Sequence, residues 1–272
     1  MMERTRLDRA LVDRGLVATR SRAAQLVQAG SVTVDGHAAD RPAQKVRPDQ
    51  DVRLRKEDPW VSRAAHKLLG ALAACPEVEV GGRRCLDAGA STGGFTQVLL
   101  SRGAERVVAV DVGHDQLAQA LRDDPRVENH EGLNLRHLEP GRLGDPFDLV
   151  VADLSFISLR LVMEPLARQT RPGGDLLMMV KPQFEVGRER LARTGVVTSP
   201  QLRREAVAGV VRSAAEAGLS LDSVHRSALA GQDGNLEFFL HLRRPLSQDG
   251  ESQRAMSETD SKLGNVDFED KE

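Results

Sequence analysis

The polarity pattern of the chain changes character near residue 60. Before it, Leu7, Ala10, Leu11 and Arg14 recur at helical spacing and stop at Gly15. Thr19 or Ser21 can cap a second helix whose Ala23, Ala24 and Val27 face inward, closed by Gly30. Ser31-Val32-Thr33-Val34 then alternates as a half-buried strand does, Asp35-Gly36 marks a tight hairpin turn, and Val52 and Leu54 alternate again. Residues 1–55 therefore predict a small α+β unit. Residues 56–61 are charged and proline-bearing and predict a linker, in which Trp60, the sole tryptophan, either pins the two parts together or offers a surface to substrate.

From residue 62 to about 245 the rhythm is strand, then helix. Apolar runs at 84–87, 107–111, 149–153 and 176–181 are separated by helix-length segments, which predicts a mostly parallel, doubly wound α/β sheet. Residues 221–227 and 236–242 read as two strands joined by a short glycine-bearing loop, an antiparallel hairpin that finishes the sheet. Residues 246–272 are polar, acidic and low in aromatics, and predict a disordered tail.

Composition sharpens this picture in four places. With 272 residues, 40% hydrophobic and 29% charged, the chain can build a real core in one or two domains, and is neither collagen-like nor a small disulfide scaffold. The net charge of -2 hides an asymmetry: residues 247–272 carry 3 Lys+Arg against 8 Asp+Glu, leaving 35 against 32 elsewhere. Residues 1–60 hold 12 basic against 9 acidic groups, a front end suited to a polyanion. The chain has no Tyr, one Trp and 7 Phe, which argues against an RNA reader built on a row of stacking aromatics and leaves nucleic-acid contact to arginine. Cys75 and Cys85 lack metal or redox spacing and read as core residues. No stretch approaches about 18–20 apolar residues and no signal-type run follows Met1, so the expected location is the cytoplasm, with no membrane partner.

The candidate chemistry begins at Asp87-Ala88-Gly89-Ala90-Ser91-Thr92-Gly93-Gly94-Phe95, which follows the first strand of the sheet and opens a helix. Its glycines let a ligand approach the backbone, yet the spacing misses the Gly-x-Gly-x-x-Gly dinucleotide fingerprint. Asp111 ends the next strand, where an acid accepts hydrogen bonds from ribose hydroxyls. A ribose-binding acid beside a loop without the pyrophosphate fingerprint suits S-adenosylmethionine, an adenosine without phosphate. On the residues alone, a glycine turn serving only helix–sheet packing stays open.

Only six lysines stand beside 32 arginines. A chain that uses arginine for nearly all its positive charge keeps lysine where a proton must be lost, because a desolvated lysine can act as a base and arginine cannot. Lys181 and Asp153 each end an apolar strand, the place where open α/β sheets bind ligands. Lys67 shares a helix face with Ala64, Leu68 and Ala71, and Glu237 starts the last strand after the glycine loop. Each has a plain alternative: a strand-end charge, a snorkelling side chain, a solvent-facing alternation of Glu237 with Phe239 and His241. Their joint order is the specific signal.

In that order, residues 62–245 resemble a Rossmann-like, class I methyltransferase of the FtsJ type, whose Lys-Asp-Lys-Glu tetrad falls on Lys67, Asp153, Lys181 and Glu237. Residues 1–55 resemble the RNA-binding module of ribosomal protein S-four. Together they are similar to the TlyA family of 2′-O-methyltransferases, historically labelled hemolysins. The resemblance rests on Arg6-Leu7-Asp8, Ser21-Arg22-Ala23, Val32-Thr33-Val34-Asp35-Gly36, the 87–95 loop, Asp153-Leu154-Ser155-Phe156, Lys181-Pro182-Gln183-Phe184-Glu185 and Gly234-Asn235-Leu236-Glu237. It implies methyl transfer from S-adenosylmethionine to a ribose 2′-hydroxyl, that of cytidine, in ribosomal RNA of the small or large subunit or both.

By the same resemblance Asp87, Gly89, Ser91, Thr92, Gly93, Gly94, Phe95, Asp111 and Asp153 hold the cofactor, with Asn134 near the adenine. Arg4, Arg6, Arg20 and Arg22 are the candidates for phosphate contact with rRNA. Arg6-Leu7-Asp8 also occurs in pseudouridine synthases, but no synthase domain surrounds it here, so Asp8 is discounted as a catalyst. Asp-Leu-Ser-Phe lacks the proline-and-aromatic motif of amine methylation, and both cysteines precede the cofactor loop, so ribose oxygen is the better target. In this scheme Lys181 is the general base, its pKa lowered by desolvation and the nearby Lys67 cation and raised by the carboxylates, Asp153 orients it, and Glu237 positions a lysine or the hydroxyl; which of the two lysines is neutral stays open in the sequence. The competing readings are an RNA-binding protein with an idle methyltransferase domain and a nicotinamide-dependent oxidoreductase. A membrane-lytic protein would need an apolar span or a cationic amphipathic helix, and neither is present.

Overall fold

A computed structural model describes residues 4–28, 30–55, 58–246, 262–264 and 266–269 of the chain. It divides into two compact units, Met1–Pro59 and Trp60–Glu272. In the first, β1 (Thr5–Arg6), α1 (Leu7–Asp13) and α2 (Arg20–Gln28) precede β2 (Val32–Val34), β3 (His37–Ala38), β4 (Lys45–Val46) and β5 (Val52–Leu54). Leu7, Ala10 and Leu11 of α1 meet Ala23 and Val27 of α2 over Val32, Val46 and Val52 in one small core. Thr19, rather than Ser21, caps α2 by accepting from Arg22 N–H at 3.2 Å. At the β2–β3 turn Asp35 and Gly36 both have positive φ, 51° and 82°, the geometry that matches the twist of a two-residue hairpin. The β1–β4 pair, two residues on each side, was too short to show a period in the sequence.

The second unit runs α3 (Ala64–Ala74), β6 (Arg84–Ala88), α4 (Gly94–Ser101), β7 (Arg106–Asp111), α5 (Gln119–Arg122), β8 (Val127–Glu131), β9 (Phe147–Ala152), α6 (Met163–Gln169), β10 (Thr170–Val180), α7 (Pro182–Glu185), α8 (Pro200–Glu216), β11 (Ser220–Arg226) and β12 (Phe238–Arg243). Seven strands form one sheet in the order β11-β12-β10-β9-β6-β7-β8. The five from β10 to β8 are parallel, and β12 is antiparallel to both β10 and β11. Both faces are covered. Leu86, Val108, Val150 and Met178 enter one core, while Cys85, Val107, Leu149 and Met179 enter the other. Burial on both sides is why these strands read as unbroken apolar runs. β8, with the sequence Val-Glu-Asn-His-Glu, is a half-exposed edge strand, and its polar residues hid it from the sequence reading.

Two expectations change. The unit boundary falls between Pro59 and Trp60, and Trp60 packs against the α3–β6 side of its own unit's core instead of belonging to the linker. The segment read as a disordered tail is not uniformly so. Residues 247–261, 265 and 270–272 lie outside the described residues, but Leu263 and Phe268 are each only 4% exposed and join the core that includes Phe238 and Leu240. Phe268 lies tilted against Phe238 with ring centroids 4.9 Å apart, and its carbonyl accepts from the buried Arg203 guanidinium at 2.7 Å. Burying a Leu or Phe side chain contributes about 1.5–3 kcal/mol, which two isolated apolar residues in a polar stretch do not advertise in sequence.

Candidate active site

Strand order reverses between β6 and β9: the chain proceeds outward from β6 to β7 and β8, and in the other direction from β9 to β10. At such a switch point the connections diverge and leave a crevice beyond the strand ends. Asp153 N–H donates to Ala88 O at 3.2 Å, drawing the end of β9 against the end of β6. A cleft of about 220 Å³ opens there, bounded by Ser62–Ala64 before and in α3, the 89–95 loop, Asp153, Ser155 and Lys181.

The loop is built for close approach. Gly89 has φ of 89°, and a Cβ placed on it would stand 2.9 Å from Asp153 O. On Gly94 a Cβ would run into Ser62 Oγ and sit 3.1 Å from Ala65 N, so glycine there lets α3 and α4 begin side by side. Both Asp111 oxygens face this region: Oδ2 accepts from Ser91 N–H at 2.9 Å and Oδ1 from Gly113 N–H at 2.7 Å. Each keeps a second lone pair. Asn134 is exposed and caps the short 3-10 turn Leu135–His137, its Oδ1 accepting from Arg136 N–H at 3.0 Å; neither it nor Asp111 is part of the cleft lining.

Asp87 lies fully buried below the loop. Thr96 Oγ1 donates to its Oδ2 at 2.7 Å, and Oδ1 has no hydrogen-bond partner. Desolvation raises its pKa from 3.8 to about 7, against the opposing Thr96 hydrogen bonds. Below pH ~4 the carboxyl is protonated in folded and unfolded chains alike and costs nothing. As pH rises from ~4 to ~7 only the unfolded chain ionises, so stability falls across that window and levels off above it. Asp87→Asn is therefore expected to flatten this slope, with a gain over the natural chain that is absent at pH 4 and at most about 4 kcal/mol by pH 8, read from melting curves over that range.

The four tetrad positions resolve into two ion pairs. Lys181 Nζ stands 2.6 Å from Asp153 Oδ1 and donates to Ser155 Oγ at 2.8 Å. The first contact is close but angled off a hydrogen bond, so Asp153 Oδ1 still lacks a hydrogen-bond partner at the cleft wall. Lys67 Nζ pairs with Glu237 Oε2 at 2.5 Å, both almost wholly buried, and lies 3.9 Å from Met179 Sδ. The β10–β12 register sets Val180 opposite Phe238, so Lys181 and Glu237 are the next residues along their two strands. Glu237 does not face solvent in alternation with its neighbours: Glu237, Phe239 and His241 are all buried, and β12 is an interior strand. Lys181 and Asp153 line the cleft; Lys67 and Glu237 do not.

Sequence reasoning passed over two contributors. Ser62 and Arg63 line the cleft just ahead of α3. Phe156 is 92% exposed with φ of 64°, tilted against Phe184 at 5.4 Å. A left-handed backbone and an uncovered ring on a bulky residue belong to the folded loop; the sequence offers only its place three residues beyond a strand-end aspartate. A larger cleft of about 520 Å³ beside α8 is lined by paired arginines, Arg160 with Glu185 and Arg190 with Glu205, and contains no lysine, histidine or cysteine. Chemistry, rather than size, selects the smaller one. Cys85 is buried and its thiol is pushed up to about 12 by desolvation, which removes it as a nucleophile.

In the first unit, Arg6 and Arg20 converge on Asp8, donating at 2.9 Å and 3.0 Å to its Oδ2. Those hydrogen bonds, Arg6's foremost, hold Asp8 down at about 2. Asp8 is thus the buried counter-charge that orients two half-exposed guanidinium groups. Arg4 and Arg22 are exposed.

A doubly wound sheet whose glycine loop, strand-end Asp and strand-end Lys share one cleft defines an FtsJ-like methyltransferase, and residues 60–244 match that family; residues 5–52 match the S4 domain. Over 245 residues the chain is 51% identical to the 16S/23S rRNA (cytidine-2′-O)-methyltransferase TlyA of Mycobacterium tuberculosis, covering 89% of this chain and 91% of that one. It is 40% identical to the putative rRNA methyltransferase YqxC of Bacillus subtilis, over 89% and 87% of the two chains. A solved putative hemolysin from Streptococcus thermophilus superposes with a TM-score of 0.69 at 34% identity, over 97% and 98%. The chain belongs to the TlyA family of FtsJ-like methyltransferases. The oxidoreductase reading is set aside. Among the described residues no helix is long and apolar enough to cross a membrane.

Proposed function

We propose that the protein transfers a methyl group from S-adenosylmethionine to the 2′-hydroxyl of a cytidine ribose in ribosomal RNA, in the cytoplasm, with Lys67, Asp153, Lys181 and Glu237 as its catalytic residues. The observation that carries this reading is the Lys181–Asp153 pair in the wall of the glycine-loop cleft. The names of the Mycobacterium tuberculosis and Bacillus subtilis relatives support the substrate class.

The cleft suits the cofactor: the glycine loop closes against Asp153 and α3 with no Cβ in the way, and each Asp111 oxygen keeps a second lone pair. The 89–95 loop and Asp111 would hold it, with Asn134 at the margin through its exposed amide; Asp87, fully buried and bonded to Thr96, supports the loop from below and does not line the cleft. When bound, it supplies a methyl already activated on a sulfonium. The demand on the protein therefore falls on the nucleophile, since a ribose hydroxyl holds its proton tightly at neutral pH. Lys181 would take that proton, and Asp153 and Ser155 fix where its nitrogen points. The Lys67–Glu237 pair is charge-neutral and buried beside Met179; it would tie α3 to the start of β12, next to Lys181, and so position the base without adding net charge. The Phe156 ring offers an uncovered face for the base of the target nucleotide. Arg4, Arg6, Arg20 and Arg22 would meet rRNA phosphates, two of them pre-aimed by Asp8.

The test is incubation of purified small and large ribosomal subunits with the protein and methyl-labelled S-adenosylmethionine, followed by alkaline hydrolysis. A 2′-O-methyl removes the nucleophile for backbone cleavage, so the modified position should resist base and carry the label. Label on a base, or none on either subunit, would overturn the proposal.

A further inference from the structure

The Lys181-Pro182-Gln183-Phe184-Glu185 segment does more than deliver Lys181. Glu185, 7% exposed at the end of α7, reaches across to the loop that follows β9. Its Oε2 accepts from Ser158 Oγ at 2.6 Å and from Arg160 Nε at 3.1 Å, and its Oε1 accepts from Leu159 N–H at 2.7 Å. Arg160 Nη2 closes the arrangement on Glu185 O at 3.0 Å. Four residues earlier, Lys181 holds the other end of the same loop through Ser155 Oγ and Asp153. Between these two anchor points the chain arches outward, with Phe156 at its crest, left-handed and almost fully exposed. Such a conformation persists only where the surroundings over-determine it. The ring leans on Phe184, which belongs to the same segment as the anchors.

We infer that Glu185 is a positioning residue that clamps the 153–160 arch and so sets the exposed Phe156 ring at the mouth of the cleft for an unstacked nucleobase of the RNA substrate. This rests on the function proposed above. Burial raises the Glu185 pKa, with Ser158, Leu159 and Arg160 opposing the rise, as expected of a carboxylate placed for its partners despite the cost of desolvation. The clamp bears on RNA more than on the methyl donor: Glu185 bonds Ser158, Leu159 and Arg160 at one end of the arch, whereas the end that meets Gly89, Asp153–Leu154, is held separately by Lys181.

Three variants test it: Glu185→Gln, Glu185→Asp and Glu185→Ala. Glutamine keeps an acceptor for Leu159 N–H and can donate to Ser158 Oγ, but loses the Arg160 bond; alanine loses all three. Rates are measured against rRNA concentration, donor affinity by equilibrium dialysis, and loop order by hydrogen exchange of the peptide spanning residues 154–162. A ring misplaced by about 1 Å is expected to cost about 10–100-fold in kcat/KM for RNA in the alanine variant, with glutamine and aspartate in between. Donor affinity should stay within about twofold, a shift of about 0.4 kcal/mol, because Asp153 keeps its own hold on Lys181 and Ala88 when Glu185 is changed. Exchange should quicken in that peptide and not across the sheet. Unchanged exchange and an unchanged RNA KM overturn the inference, and so does a parallel loss of donor affinity and melting temperature in all three variants, which would mark Glu185 as general scaffolding. If the natural protein transfers no methyl to rRNA, the proposed function fails by itself. In that case faster exchange with intact donor binding still supports the clamp, and unaltered exchange refutes it.

Discussion

Lys181→Ala and Lys181→Arg are both expected to lose methyl transfer by about 10²–10⁴-fold, the usual worth of a positioned general base. The arginine variant is the informative one. It restores a cation to within reach of Asp153, yet a guanidinium does not release a proton at any working pH. If Lys181 served only as a counter-ion for Asp153, arginine would recover most of the rate. The pair is only about one-tenth exposed, so alanine leaves Asp153 without its cation; the carboxylate still borders an open cleft that water can enter, and the fold should survive. The measurements are single-turnover methylation of ribosomal subunits and donor affinity for each variant. Wild-type rate in the arginine variant would end the assignment of Lys181 as base.

The second large effect falls on stability. Lys67→Met or Glu237→Leu alone is expected to cost about 3–5 kcal/mol, because either change strands an unpaired charge at a site less than one-tenth exposed. In a domain of this size each kcal/mol lowers the melting temperature by about 2–4 °C. The double variant, Lys67→Met with Glu237→Leu, should regain most of that loss, since two apolar side chains of similar volume suit a buried site beside Met179. Methyl transfer should stay low in all three. Recovery of activity along with stability would show that the pair only fills space at the ends of β10 and β12.

The parallel strands were legible because their burial on both faces leaves continuous apolar runs, and Lys181 and Asp153 because each punctuates such a run with a charge. The glycine loop stood out for the same reason, as a break between β6 and α4. What sequence could not supply was order in space. β12 returns antiparallel and slots between β10 and β11, so Glu237 reaches Lys67 across 170 positions of chain, and no local pattern encodes that meeting. Asp8 is the opposite case: its neighbours Arg6 and Arg20 were noted as phosphate ligands, but their shared carboxylate is visible only once α1 and α2 pack. Phe156 was quoted as part of a motif without a role, because exposure and a positive φ are properties of the folded loop.

The docking of Phe268 bears on where this polypeptide can be cut. The family match ends at residue 244, a natural-looking place to stop. A chain shortened there would uncover one side of the Phe238 ring and deprive Arg203, 1% exposed, of a carbonyl acceptor at 2.7 Å. A truncated version should melt earlier and expose a greasy spot on the flank of the sheet, so an affinity handle is better fused at the other terminus.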